Sequence, residues 1–272
     1  MTNPHPIIYG EIEPPTQVYV GDCREVLTTL AISKTKADLI FADPPFNFRR
    51  NYANYSDNLS PSDYLSFTHD WINKCISILR PGGAFWINIP DEWCVEVITH
   101  AKSQSLTLEN WCIWHYRFGQ NTQTHFINSK VHALHFTSNG SRTWNPLQIL
   151  EPSDRASKYN DPRTQNKSDG FPPGLRTPLD VWYGPGFSRI QGNNSERMPL
   201  HDNQLPEAYL HRVIASTSNP TDLVIDPFLG SGTTGVIARA MNRRFIGIEI
   251  SPAYAKSAFD RILSGPAHPL PL

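Results

Sequence analysis

The apolar positions of this chain fall into two stretches of ordered pattern, separated by a long segment that has none. In the first, short blocks read as strands: residues 17–22 (QVYVGD), 37–43 (ADLIFAD), 83–89 (GAFWINI), 111–117 (WCIWHYR) and 132–138 (HALHFTS). The first three are almost continuously apolar, as strands covered on both faces are. Between them, residues 62–79 and 92–102 place apolar side chains at helical spacing. The blocks at 111–119 and 130–140 follow closely on each other and read as an antiparallel pair. After Leu200 the alternation returns with a helix at 206–216, the strand DLVIDPF and a glycine-rich turn. A helix ending at Met241, the strand FIGIEI and a helix from Pro252 follow. Strands alternating with helices predict an α/β fold: a mostly parallel, twisted sheet with an antiparallel edge strand and helices on both faces.

Residues 141–199 break the pattern. Proline, glycine, asparagine and arginine dominate there, and a stretch this long without regular structure is uncommon inside a compact domain unless it is functional or disordered. Trp144, Trp182, Tyr183 and Phe187 argue against disorder, because disordered tracts are poor in aromatics. The segment carries eight Lys/Arg against six Asp/Glu, whereas the whole chain has a net charge of −1. Any nucleic-acid surface must therefore be local. The expected organisation is one domain in two halves, 1–140 and 200–272, with 141–199 inserted between them.

Composition removes several classes. No apolar run is long enough for a membrane span, and the N-terminal segment lacks the basic and apolar regions of a secretory signal. Cys23, Cys75, Cys94 and Cys112 stand far apart with no CxxC pair, which predicts free thiols in a reducing cytoplasm rather than a zinc cage or redox couple. His132 and His135 lie three apart on a strand, so they should face opposite sides and share no metal. Trp111 and Trp114 read as core.

Two strand ends carry candidate chemistry. Asp226-Pro-Phe-Leu-Gly-Ser-Gly-Thr-Thr-Gly235 follows an apolar strand and opens a helix. Gly230, Gly232 and Gly235 would let the backbone turn tightly and approach a ligand, with the free N–H groups of the helix start pointing at it. Glu249, at the end of the next strand, could accept both hydroxyls of a ribose. The same spacing satisfies a dinucleotide fingerprint, so a nicotinamide-dependent oxidoreductase is the rival reading. Asp226 at the sheet edge instead suits the ammonium of S-adenosylmethionine. At the other strand end, Asp43-Pro44-Pro45-Phe46 offers a carboxylate, carbonyls without competing N–H groups, and an aromatic face. An exocyclic amino nitrogen on a base is a poor nucleophile, since its lone pair is delocalised into the ring. A carboxylate and a proline carbonyl accepting its two N–H bonds would turn that lone pair toward an electrophilic methyl. Phe46 could stack on an extruded base.

DPPF together with DPFLGSG resembles the catalytic and cofactor motifs of DNA amino-methyltransferases. The motif order, catalytic first, insertion second and glycine turn last, is similar to the circularly permuted beta class. Val20-Gly21-Asp22 resembles the strand whose Asp contacts the cofactor adenine, and Leu79-Arg-Pro-Gly-Gly83 the turn before the next strand. Residues 198–207 resemble the segment that closes on the methionine tail, although the usual His-Pro-Thr-Gln-Lys-Pro here reads His201-Asp-Asn-Gln-Leu-Pro206. The resemblance implies a Rossmann-like methyltransferase fold with S-adenosylmethionine as cofactor. It implies Asp43, Pro44, Pro45 and Phe46 as catalytic residues. Asp22, Asp43, His201, Asn203, Asp226, Phe228, Gly230, Ser231, Gly232, Thr233, Thr234 and Glu249 would hold the cofactor. In the family, Asp at the first catalytic position goes with adenine N6 and Ser with cytosine N4, so Asp43 favours adenine, with cytosine N4 as the alternative. Phe46 stands where Tyr is commoner.

Double-stranded DNA is the implied partner, and a homodimer and a cognate restriction enzyme are further partners that the family allows. Arg49, Arg50, Tyr52 and Tyr55, directly after the catalytic turn, suit phosphates and an extruded base. Arg142, Arg163, Arg176 and Arg189 are the insertion's candidates for DNA contact. Other substrates for the same transfer would be RNA or a protein amide, and a catalytically silent DNA-binding module would leave Asp43 without a role. Methylation at cytosine carbon-5 would need a nucleophilic Cys after proline, and none of the four cysteines follows one.

Overall fold

In the computed structural model the described residues are 7–10, 13–48, 51–52, 55–117, 119, 121–165, 170–201 and 203–270, with the side chains of 7, 8, 51, 52, 55 and 56 left aside. Nine strands form the main sheet: β1 (Ile7–Tyr9), β2 (Thr16–Val20), β3 (Ala37–Ala42), β4 (Leu79–Ile89), β5 (Thr107–His115), β6 (Lys130–Thr137), β7 (Val181–Trp182), β8 (Leu223–Asp226) and β9 (Arg244–Glu249). Their spatial order is β1-β2-β9-β8-β3-β4-β6-β5-β7. β1 and β6 run against the rest. The expected β5–β6 pair is antiparallel, with Trp114 opposite Val131 and Cys112 opposite Ala133. β1 is the antiparallel edge strand, whereas β6 lies inside the sheet, with β5 and then β7 outside it.

Six helices of eight or more residues cover the sheet: α1 (Cys23–Ile32), α2 (Pro61–Ile78), α3 (Cys94–Ser103), α4 (Glu207–Thr217), α5 (Thr233–Ala240) and α6 (Pro252–Ser264). α2 starts where Ser60 accepts from the Asp63 N–H and Pro61 occupies a position whose N–H would be unpaired. It buries Tyr64, Thr68, Trp71, Ile72, Cys75 and Ile78, a stripe at helical spacing, against one face of the sheet. α1 and α3 share that core. The second core lies on the opposite face, where α4, α5 and α6 pack Tyr209, Val213, Val236, Ala258 and Ile262 against Phe41, Trp86 and Phe245.

Segment 141–199 carries only short elements, and its strand β7 pairs in parallel with β5 through Val181 and Trp182. Trp182 and Phe187 enter the second core, which holds the segment against the sheet. Among the described residues, no helix is long and apolar enough to cross a membrane. All four cysteines are buried and unpaired. His132 and His135 do face opposite ways: His132 reaches Asp91, and His135 stacks on Trp86 with ring centroids 4.4 Å apart. Trp114 is core, but Trp111 is 44% exposed, its indole N–H donating to His132 Nδ1.

Candidate active site

The carboxyl ends of β2, β3, β4, β8 and β9 open into one cleft of about 1240 Å³. Such an edge, where parallel strands end and connections diverge, is where open α/β sheets bind ligands. Asp22, Asp43, Asp226, Glu249, His201 and Asn203 all line it.

On the glycine-turn side, Gly230 and Gly232 hold φ of +50° and +80°, a conformation that side chains rarely adopt. A Cβ on Gly230 would meet nothing closer than 3.8 Å, so this turn leaves open space above it. Gly235 behaves differently from the expectation. It lies inside α5, and a Cβ there would fall 2.5 Å from Ile262 and 2.6 Å from Phe245, so it serves close helix–sheet packing. Asp226 is 3% exposed and accepts from the Thr234 hydroxyl (2.6 Å) and the Phe228 N–H (2.9 Å). Burial raises its carboxyl to about 7, against those two hydrogen bonds and with Asp43 and Glu249 adding to the rise. Glu249 accepts from the N–H of Gly230 (3.0 Å) and of Ser251 (2.9 Å), and burial raises it too. Asp22 caps α1 at the Arg24 N–H (2.8 Å) and pairs with the Arg24 guanidinium (2.6 Å). Ser231 and Thr233 are steadied by Arg261, whose guanidinium donates to both hydroxyls and pairs with Glu207. His201 stacks on Tyr254, ring centroids 4.3 Å apart.

This donor set fits an adenosylmethionine. Buried carboxylates suit an ammonium and a ribose, Phe228 and Ile250 line the wall as apolar partners, and small turn residues leave room. Residues that would hold the group are Asp22, Asp226, Phe228, Gly230, Ser231, Thr233 and Glu249, with His201 and Asn203 on the closing segment.

The Asp43–Phe46 turn sits beside them and is braced from several directions. Tyr64 donates its hydroxyl to the Pro45 carbonyl (2.9 Å) and the Trp93 indole donates to the Phe46 carbonyl (3.2 Å). Asn47, at φ +61°, exchanges side-chain bonds with Leu59, while buried Asp57 accepts from the Asn47 and Phe48 N–H groups. The Pro45 carbonyl thus already accepts one internal hydrogen bond. Phe46 meets Phe48 edge-on at 5.8 Å and lines the cleft. Asp43 is half-buried, and its Oδ1 accepts from Asn88 Nδ2 at 3.1 Å. Burial raises its carboxyl to about 6, and the Asn88 hydrogen bond works against that rise.

The basic residues divide. Arg189 lines the cleft and donates to Asn203 (2.5 Å). Arg142 does not come to this side: it follows Ser141, which packs on Gly82 at the opposite edge of the sheet, and pairs with Glu109 at 2.5 Å. Arg163 pairs with Asp161 (2.9 Å) and Arg176 with Glu151 (3.3 Å), both within the insertion and away from the cleft walls. Arg49 and Arg50 lie outside the described residues, as do the side chains of Tyr52 and Tyr55. Asn88, Tyr64, Asp57, Tyr209 and Arg261 carry the braces of the site without any sequence motif to mark them. Asn47, the residue after Phe46, takes a left-handed conformation that asparagine tolerates better than most residues.

A mostly parallel α/β sheet with two acidic strand ends and a glycine turn at one cleft defines a nucleoside-cofactor type of site. Comparison with known proteins narrows it. A family profile described as DNA methylase, covering the N6 and N4 enzymes, matches residues 37–260. The Type II methyltransferase M.HpaI of Haemophilus parainfluenzae is 31% identical over 244 residues, spanning 88% of this chain and 73% of that protein. The DNA adenine methyltransferase YhdJ of Escherichia coli is 29% identical over 242 residues, spanning 85% of this chain and 78% of its own. Among solved structures, an M1.HpyAVI–SAM complex superposes with a TM-score of 0.60 at 20% identity, covering 90% of this chain and 98% of that one. The cytosine-N4-specific PvuII DNA methyltransferase gives 0.64 at 16% identity, covering 92% and 93%. The chain belongs to the N6/N4 DNA methylase family.

Proposed function

We propose that this protein transfers a methyl group from S-adenosylmethionine to N6 of an adenine turned out of duplex DNA. The observation that carries the reading is Asp43 at the cleft floor, half-buried and hydrogen-bonded on one oxygen, in the same cleft as Asp226 and Glu249. Its second oxygen accepts one N–H of the amino group and the Pro44 carbonyl accepts the other. Together they draw the nitrogen lone pair out of conjugation. When bound, the cofactor supplies an electrophilic sulfonium methyl. Asp226 and Glu249 hold its ammonium and ribose, and Phe46 gives the base a face to stack on. The amino nitrogen gains a carbon and must lose a proton, and Asp43, held near 6, is placed to receive it. Asp at the first motif position favours adenine, and the name of YhdJ agrees with that choice.

Expression in a methylation-free host, followed by sequencing of that DNA for modified bases, tests the whole reading. N6-methyladenine at one sequence motif is expected, lost in Asp43→Ala while the fold persists by circular dichroism. Methylation on cytosine would overturn the base assignment, and unmodified DNA would overturn the activity.

A further inference from the structure

Behind Asp43, away from the open cleft, stands a two-residue chain that the catalytic motif does not contain. Asn88, one position before the end of β4, is 1% exposed, and Tyr209 on α4 is fully buried. Tyr209 donates its hydroxyl to Asn88 Oδ1 at 2.6 Å, and Asn88 Nδ2 donates to Asp43 Oδ1 at 3.1 Å. We propose that Tyr209 and Asn88 are positioning residues that fix Asp43 as a hydrogen-bond acceptor, ready for an amino N–H of the target base. This inference rests on the amino-methylation reading above.

The two ends of the Asn88 amide act oppositely on Asp43. With Nδ2 toward Asp43, Asn88 donates and favours the ionised carboxylate. Turned by half a rotation, its oxygen would face Asp43 and favour the protonated acid, whose remaining carbonyl oxygen is a weaker acceptor for the base N–H and cannot take up its proton. Among the described residues the buried phenol has no other acceptor than Asn88 Oδ1, so its hydrogen selects the first orientation. The phenol itself stays protonated, since burial first and then Asp43 and Cys112 push its pKa well up. Asp226, from β8, is the other titratable group that interacts with Asp43; Arg24, Lys130 and Arg189 are cations on the same cleft, and Asp22, Asp57 and Glu249 are further acids there. Tyr209 also meets Phe41, Trp114 and Trp182 edge-on, at centroid distances of 6.0, 5.4 and 5.2 Å. Phenylalanine would keep those ring contacts and remove only the hydroxyl.

The test is single-turnover methylation of duplex DNA at saturating cofactor, from about pH 5 to about pH 9, with wild type, Tyr209→Phe and Asn88→Leu. In the wild type the rate should fall as Asp43 takes up a proton near 6. In both variants that acid limb should move up by about one pH unit, and the rate at neutral pH should drop ~10-fold. Cofactor affinity by calorimetry should stay within about twofold, because neither residue is proposed to touch the cofactor. If Asn88→Leu fails to fold, Tyr209→Phe with its retained packing still decides. Superimposed acid limbs in Tyr209→Phe and wild type would overturn the inference, and so would a loss confined to cofactor affinity. A wild type that methylates no DNA would instead overturn the reading on which the inference rests.

Discussion

Asp226 shows how a single buried carboxyl links acidity, stability and ligand affinity. Its folded value of about 7 lies above the ordinary carboxylate range, so the folded chain holds that proton more tightly than the unfolded chain does. Between about pH 4 and 7 the contribution of Asp226 to stability therefore falls as pH rises, the reverse of the usual salt-bridged acid. A cationic ammonium prefers the ionised form. Affinity for S-adenosylmethionine should accordingly strengthen by about tenfold in all from pH 6 to 8, most steeply below 7, and level off above, measured by titration calorimetry at each pH. Asp226→Asn removes the buried charge; its one oxygen can still accept from the Phe228 N–H, and the Thr234 hydroxyl can turn to accept from its amide. The variant should melt above wild type at pH 8 without ligand, and bind the cofactor ~100-fold more weakly. A lower melting temperature there would contradict the assignment of Asp226 as a strained, ligand-serving acid.

At the scale of elements, the pattern of the sequence was read most easily where one face of a helix or strand is buried repeatedly. α2 has that regularity, the strands at Asp43 and Asp226 are instead continuous apolar runs buried on both faces, and all three appear where the pattern put them. β7 has two residues and no period, so its place at the edge of the sheet was not legible. Only the aromatic content hinted that residues 141–199 pack, and Trp182 is where they do. Its ring meets Trp86 at 5.7 Å and Tyr209 at 5.2 Å, and the Arg212 guanidinium lies 5.5 Å from its centroid and 4.4 Å from that of Phe187. β4 also begins earlier than expected, at Leu79, because Leu79 pairs with Ala37 ahead of a bulge and the Pro81–Gly83 turn is absorbed into the strand. Trp182→Ala should cost ~3–5 kcal/mol in urea unfolding, since it leaves a large cavity beside Tyr209. A loss below about 1 kcal/mol would show that the insertion docks by other contacts.

For the whole molecule, the acidic strand ends were legible because each ends an apolar run and is followed by a proline. Their supports were not. Tyr209 and Asn88 lie 121 positions apart, and Tyr64 and Pro45 lie 19 apart on different elements. No local spacing joins them; the sheet does. Charge behaved similarly. Of the insertion arginines expected to reach DNA, Arg189 alone lines the cleft, while Arg142, Arg163 and Arg176 are occupied by Glu109, Asp161 and Glu151. With a net charge of −1, DNA affinity has to come from a few local cations. Arg189→Ala should weaken binding to duplexes of any sequence and reduce the slope of log affinity against log salt by about one, as read by fluorescence anisotropy.

The sheet order has a consequence for how the chain is made. β2 and β3 emerge early from the ribosome, yet in the finished sheet they are separated by β9 and β8, which are synthesised last. Until residues 223–249 are available, the inner edges of β2 and β3 have no partner, and Leu39 and Phe41, which face the helices made later, remain uncovered. Unpaired apolar strand edges invite intermolecular pairing. The nascent protein is thus an obligate late closer: the strand that brings Asp226 to Asp43 is also the wedge that completes the fold, so the site and the finished sheet come into being in the same event.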